Sequence, residues 1–155
     1  MPRRSHSIDI DASAHDIFAV MHDYSRRLTW DSMLSRAELL DNATEAAVGV
    51  TSLCVGRWKG LWLGLETKYV RFMPGEVAAV RMTNRPPFFE SFGATMRHED
   101  LSPERSRVTY IFSFTARPRF AAPVLEPIMA ALLSREVEHR LHALKRFMER
   151  RGDRS

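Results

Sequence analysis

The chain has 155 residues, 45% of them hydrophobic and 27% charged, which is the size and composition of one globular domain with a core large enough to enclose a cavity. No apolar run approaches the roughly 20 residues that a membrane span requires, so stable membrane insertion is excluded as an expectation. The net charge of +4 raises the question of nucleic acid, but much of the excess falls after Arg135, near the end of the last predicted helix, where the helix dipole favours cations by about 0.3–1 kcal/mol each.

In chain order, Met1 to Ile10 carries Arg3 and Arg4 and then turns polar. It lacks the apolar core of a secretory signal, so the cytoplasm is the expected compartment. Ser7 to Ile10 alternates as a short first strand. Ser13, with Asp16 three residues on, reads as a helix N-cap, and Ile17, Val20, Met21 and Tyr24 share one helical face. A helix is predicted over roughly Ala14 to Met21, with His15, Asp16 and His22 facing water. A second short helix or turn follows, ending at Trp30 and Asp31.

Leu34 to Leu40 is the next predicted strand, broken by Asp41 and Asn42. Val50 to Val55 and Leu61 to Phe72 follow as antiparallel neighbours around a turn at residues 56–60, and Met73-Pro74-Gly75 supplies the residues of a tight hairpin. Val77 to Thr83 precedes Pro86 and Pro87, which cannot donate ladder hydrogen bonds. Phe88 to Glu99 resumes as strand, and Leu101 to Ser106 turns the chain. Arg107 to Arg117 alternates most regularly, with Val108, Tyr110, Phe112, Phe114 and Ala116 on one face. The lone cysteine, Cys54, has no partner for an internal disulfide and reads as a small buried hydrophobe.

Pro123 to Arg151 then forms one long amphipathic helix, with Leu125, Ile128, Met129, Leu132, Leu133, Val137, Leu141, Leu144 and Met148 at three-and-four spacing. Residues 152–155 read as a frayed tail. The pattern is α+β, with a seven-stranded antiparallel sheet, two short helices after the first strand, and a final helix that alone has enough apolar surface to cover the sheet. A sheet curled around that helix leaves a space between them.

The opening IDIDASAHDIFAVMHDYSRRLTWDSMLSRAEL, with Ile17-Phe18, Asp23 and Trp30-Asp31 in their places, resembles the polyketide cyclase/dehydrase-like branch of the START-like (SRPBCC) superfamily. So does the closing pattern of Arg107-Val108-Thr109-Tyr110 and a long helix ending in Leu141, Leu144 and Lys145. The resemblance covers nearly the whole chain. It implies a helix-grip fold in one START-like domain spanning 1–155, with a deep hydrophobic cavity for a lipid-like, aromatic or polyketide-like ligand.

Within that space the expected lining comes from Phe92, Met96, Tyr110, Phe112 and Phe114 on the sheet and Leu125, Met129, Leu132, Leu133 and Val137 on the helix, with Trp30 plugging one end and Asp31 tying the turn. Polar side chains on the inner face are the candidates for chemistry, because burying them unpaired costs about 1–3 kcal/mol. Strand alternation from Phe92 puts His98 and Glu90 inward. His98 is then either an acid/base group near the ligand or, as the nearby strand end favours, half-exposed. Glu66 and Lys68 share a face that is inward only if Leu61, Leu63, Leu65 and Tyr69 are not, and burial favours the leucines. The hydroxyl of Tyr110 finds either a ligand or a backbone group. Strand arginines such as Arg81 and Arg97 usually face solvent.

His139 and His142 lie off the apolar face and lack a third ligand, so no metal site is expected. No nucleophile motif accompanies His22 and Asp23, and no helix-turn-helix, zinc-finger or aromatic RNA-binding signature points to nucleic acid. The segment Arg85-Pro86-Pro87-Phe88-Phe89 is either a lip over the cavity mouth or a packed loop. The reading is a cofactor-free protein, monomer or homodimer, that binds a hydrophobic small molecule. The alternatives are a cyclase, aromatase or dehydratase in which His98, Tyr110 and Glu66 converge on an enolisable ketone, and a module that binds a protein partner through the basic end of the last helix.

Overall fold

The computed structural model describes residues 2–31, 34–56 and 64–153. Strand β1 (Arg3–Ile10) leads into helices α1 (Ala14–Met21) and α2 (Arg27–Trp30). Strands β2 (Leu34–Leu39), β3 (Thr51–Gly56), β4 (Gly64–Met73), β5 (Val77–Met82), β6 (Phe89–Ser102) and β7 (Arg105–Ala116) follow, and helix α3 (Ala122–Asp153) closes the chain. The expected strand start at Leu61, with Trp62 and Leu63, lies outside the described residues, as do turn positions 57–60 and the last two residues of the expected tail. The predicted element order holds. The first strand is longer than alternation suggested, and β6 and β7 extend into the segment expected to turn, leaving Pro103 and Glu104 between them.

The strands make one antiparallel sheet in the order β1-β7-β6-β5-β4-β3-β2. Local chemistry sets its corners. Ser13 caps α1 by accepting from the Asp16 amide at 3.2 Å. The β4–β5 turn has Pro74 at its second position and Gly75 at its third with φ +79°, closed by the Glu76 amide donating to the Met73 carbonyl at 2.9 Å. That left-handed backbone is easy only for glycine. Asp41 and Asn42, also at positive φ, end β2 as the sequence suggested.

One face of the sheet is the core. From β7 it receives Val108, Tyr110, Phe112, Phe114 and Ala116, and from β6 Phe92, Ala94, Met96 and His98, all buried. Of the four register shifts among the described strands, two alter the alternation near the core face. Glu90 is the extra residue between Phe89 and Ser91, so it is exposed while Phe89 and Phe92 both point inward. This corrects the expectation that Glu90 shares the inner face. Val70 is the extra residue in β4, which lets the Tyr69 and Phe72 rings meet at 5.4 Å although they are three residues apart.

Helix α3, with 32 residues, spans about 48 Å at 1.5 Å per residue. Its C-terminal half packs against the sheet through Leu141, Leu144 and Met148, all buried. Its N-terminal half stands over a cavity instead. Because Leu144 is fully buried between helix and sheet, Leu144→Ala will cost about 2–5 kcal/mol of unfolding free energy in urea titration; a loss below about 1 kcal/mol would contradict this packing.

Candidate ligand-binding site

Between α3 and the sheet lies a cavity of about 300 Å³, at the small end of the usual range for ligand pockets. Its long walls are apolar: Phe92, Met96 and Phe112 from the sheet face Leu125, Met129, Leu132, Leu133 and Val137 from the helix. These are the residues expected on the lining, and Tyr110 joins them. Phe114 and Trp30 do not border the cavity. Phe114 packs behind it, with ring centroids 6.1 Å from Phe89 and 6.4 Å from Phe112. Trp30 is buried beneath the Arg27 guanidinium, which stands 5.0 Å over its ring.

One end of the cavity is charged. Arg27 and Arg140 both border it, and both are tied to the carboxylate of Asp31, whose side chain is fully buried. Nε of Arg27 donates to Asp31 Oδ2 at 2.9 Å and Nε of Arg140 to the same oxygen at 2.8 Å. Arg27 also donates to the Met21 carbonyl at 3.1 Å, and Arg140 to Glu136 Oε1 at 3.0 Å. Burial would lower the pKa of each arginine, but Asp31 together with the other groups around it, Cys54 and Tyr24 at Arg27 and Glu136 and Tyr110 at Arg140, outweighs this and both stay charged. Burial likewise would raise Asp31, and the two guanidiniums instead hold it below the usual carboxylate range. Among the described residues Nη2 of Arg27 has no protein partner, so a guanidinium bordering the cavity keeps a donor to give.

A second polar wall is uncharged. The Tyr69 hydroxyl sits 2.8 Å from His22 Nδ1 and 3.0 Å from the Tyr24 hydroxyl, and all three residues border the cavity with Thr67. Burial raises both phenols above their ordinary value, Tyr69 strongly. His22 is pushed well below 6.5 by burial first, with the charges of His98 and Arg27 adding to it. At neutral pH this wall therefore holds two protonated phenols and a neutral imidazole. If Tyr69 donates to His22, its oxygen accepts from Tyr24; if His22 donates, the order reverses. The tautomer of a buried histidine is thus linked to the direction of a hydroxyl that borders the cavity.

Of the three residues expected to converge, only Tyr110 borders the cavity. His98 is inward, as strand parity indicated, but it is buried and not half-exposed. It lies under α1 with its ring 5.1 Å from Phe18. Glu66 is on the opposite face of β4 from the cavity-lining Leu65 and Thr67, and its amide donates to the Asn84 side chain at 3.0 Å. Arg81 and Arg97 are exposed. Among the described residues no three His, Cys, Asp or Glu side chains converge on a metal-sized site.

The sequence reading missed His22, which was assigned to water and is buried, and it missed Tyr24, Arg27, Glu136 and Arg140. A signal existed for Arg140. Leu133, Val137, Arg140 and Leu144 run at four-three-four spacing, so an arginine occupies a position on the apolar stripe itself. The Arg27/Asp31 pair has the i, i+4 spacing of a helical ion pair. The loop at Arg85 to Phe89 is packed at its base, where Arg117 Nη2 donates to the Arg85 carbonyl at 2.6 Å, while Phe88, at φ +73°, stands at the cavity rim.

Residues 1–149 match the family described as polyketide cyclase/dehydrase and lipid transport. The chain belongs to this family. The START-like, helix-grip fold follows, and solved structures agree. The chain is similar to the Zhui aromatase/cyclase from Streptomyces sp. R1128, at 18% identity and TM-score 0.81 over 97% of this chain and 94% of that one. It is similar to a START superfamily protein from Mycobacterium smegmatis at 13% identity and TM-score 0.77, over 96% and 97%. The di-domain aromatase/cyclase StfQ of the steffimycin biosynthetic pathway is matched at 12% identity and TM-score 0.80 over 97% of this chain and 52% of that one. At these identities the likeness is one of fold. No curated protein matches the sequence. Among the described residues no helix is long and apolar enough to cross a membrane.

Two outcomes follow from the buried charges. Asp31→Ala leaves two buried guanidiniums without their shared carboxylate, and chemical denaturation will show a loss of about 3–5 kcal/mol; a near-neutral effect would mean that the arginines reach water. His98 has a pKa of about 4, lowered from 6.5 by burial. On acidification the unfolded chain therefore binds this proton before the folded one does. The contribution is intact above about pH 6.5 and lost as pH falls towards about 4, by up to about 3 kcal/mol. Urea midpoints measured across that window will fall more steeply for the wild type than for His98→Leu, and equal slopes would contradict the burial of His98.

Proposed function

We propose that the protein binds a hydrophobic small molecule whose apolar body lies between α3 and the sheet and whose oxygen-bearing end meets Arg27 and the tyrosine wall. One observation carries this reading: a single cavity has apolar long walls, and its charged lining residues, Arg27, Arg140 and Glu136, are gathered at one place by Asp31 and by the Arg140–Glu136 pair. Two cations are balanced there by two carboxylates, so the site asks for an acceptor oxygen, such as a carbonyl or phenol, and does not require a full negative charge. The lipid-like, aromatic and polyketide-like classes all satisfy it. A membership that joins cyclases with lipid transport is consistent with both binding and turnover.

A cyclase-type activity is the second reading, favoured by the neutral imidazole and protonated phenols beside Arg27. Arg27 would hold an enolate oxygen, and Tyr24 or Tyr69 would exchange the proton. Tyr110 stays a candidate as the third phenol on the lining. Failure of the wild-type protein to speed aldol closure of a model triketone over buffer would remove this reading and leave binding untouched.

Native mass spectrometry of the purified protein, with extraction of whatever co-purifies, tests binding directly. As a defined probe, 1-anilinonaphthalene-8-sulfonate will bind the wild type, and Met129→Trp, which fills the space between helix and sheet, will weaken it about tenfold or more with little change in Tm. Equal affinity in the two proteins would place the probe elsewhere and overturn the reading.

A further inference from the structure

The size of the cavity and the chemistry of its walls narrow the ligand further than polarity alone does. A dry apolar cavity of about 150 Å³ takes one benzene molecule. The space here, about 300 Å³, therefore encloses on the order of twelve non-hydrogen atoms. Its limits are firm. At the charged end the cluster of Arg27, Asp31 and Arg140 cannot give way without unpairing a buried charge. On the sheet side the wall rings are braced from behind or beside, Phe92 by Phe89 at 6.1 Å and Phe112 by Phe114 at 6.4 Å. Whatever exceeds the space stands out in water past Phe88 and Ile128, the rim residues, which are 45% and 54% exposed.

The two long walls also differ from each other. Phe92 and Phe112 on the sheet lie 20° from parallel, with ring centroids 6.3 Å apart. A flat ring aligned with one of them is aligned with both, and aromatic pairs in offset or edge contact gain beyond the area they bury. Across the cavity Met129 and Leu132 supply aliphatic surface, which adapts to either face of such a ring. A puckered ring of the same size meets the aromatic wall less well. At the polar end Arg27, Tyr24 and Tyr69 offer hydrogen-bond donors, while Asp31 and Glu136 offset the two guanidiniums, so an uncharged oxygen suits the site.

Resting on the binding reading above, we propose that the ligand is a neutral aromatic ketone or phenol of one or two rings, enclosed whole. A two-chain lipid or a scaffold of three or four fused rings exceeds the space. Such molecules leave most of their surface in water. A larger probe such as anilinonaphthalene sulfonate enters with one ring system and keeps the rest outside the rim.

The test is isothermal titration calorimetry of the purified protein with acetophenone, 2-acetylnaphthalene and 2-acetylanthracene, which carry one carbonyl on one, two and three rings. The second ring is expected to tighten binding about tenfold or more, and the third to add less than about twofold, because only the second adds apolar area inside the cavity. The saturated counterpart 2-acetyldecalin, with the two-ring skeleton but no flat ring, is expected to bind about fivefold more weakly than 2-acetylnaphthalene. Met129→Ala, which widens the space between helix and sheet, is expected to raise affinity for 2-acetylanthracene about tenfold, with Tm reporting that the variant is folded. Affinity that climbs as steeply through the third ring in the wild type overturns the size limit, and a folded Met129→Ala protein without any gain counts against it. Equal binding of 2-acetyldecalin overturns the aromatic class. If none of the ketones binds while anilinonaphthalene sulfonate still does, this ligand class falls and the binding reading stands; only loss of the probe as well removes both.

Discussion

The carboxylate of Asp31 is the point on which the cavity's shape depends. It ends α2, and through one oxygen it receives Nε of Arg27 from its own helix and Nε of Arg140 from α3. A long helix lying on a curled sheet can slide or tilt at little cost where its contacts are apolar and non-directional. A buried charge shared by two guanidiniums is directional, and it is expensive to leave half-made. The cluster therefore sets where the middle of α3 stands relative to the α1–α2 segment. It leaves the N-terminal turns of α3 over empty space, with the C-terminal turns bound to the sheet. Such a cluster does not have to add stability over an apolar replacement. Its effect is to define one arrangement.

The same arrangement gives the cavity its chemical asymmetry. Apolar walls suit almost any hydrophobe of suitable size, and in the proposed binding mode the polar end sets which way round it lies. Because Asp31 and Glu136 offset Arg27 and Arg140, the end presents hydrogen-bond donors without a strong net field. Beside it, His22, Tyr69 and Tyr24 form a chain of groups that burial keeps uncharged. In the two proposed readings, binding a carbonyl compound and exchanging a proton with it would call on the same atoms.

Bulges contribute a quieter constraint. The extra residues at Glu90 and Val70 each bring two aromatic side chains to the inner face where strict alternation allows one. Phe89 and Phe92 thicken the wall near the cavity, while Tyr69 and Phe72 pack against His22, and His22 and Phe18 in turn contact His98. The histidines are kept neutral by this surrounding, and the two strands bend where the sheet must curl.

The sequence by itself determined the element order, the closing helix and its apolar stripe, the Ser13 cap, the Pro74-Gly75 turn and the inward face of β7, because each is written in local periodicity or local backbone chemistry. It also named most of the apolar lining, since Phe92, Met96, Phe112, Met129 and Val137 belong to those stripes. Only the tertiary structure decided which polar side chains reach the ligand space. His22 was placed in water because it follows the last turn of α1, and only β4 crossing beside it turns it into a buried partner of Tyr69. Arg140 is a surface charge on an isolated helix, and Asp31, more than a hundred positions away, makes it a buried one. Glu90 left the inner face through a bulge that no alternation reveals. Polar burial is settled by partners distant in sequence, whereas helix stripes and turns are settled within a few residues.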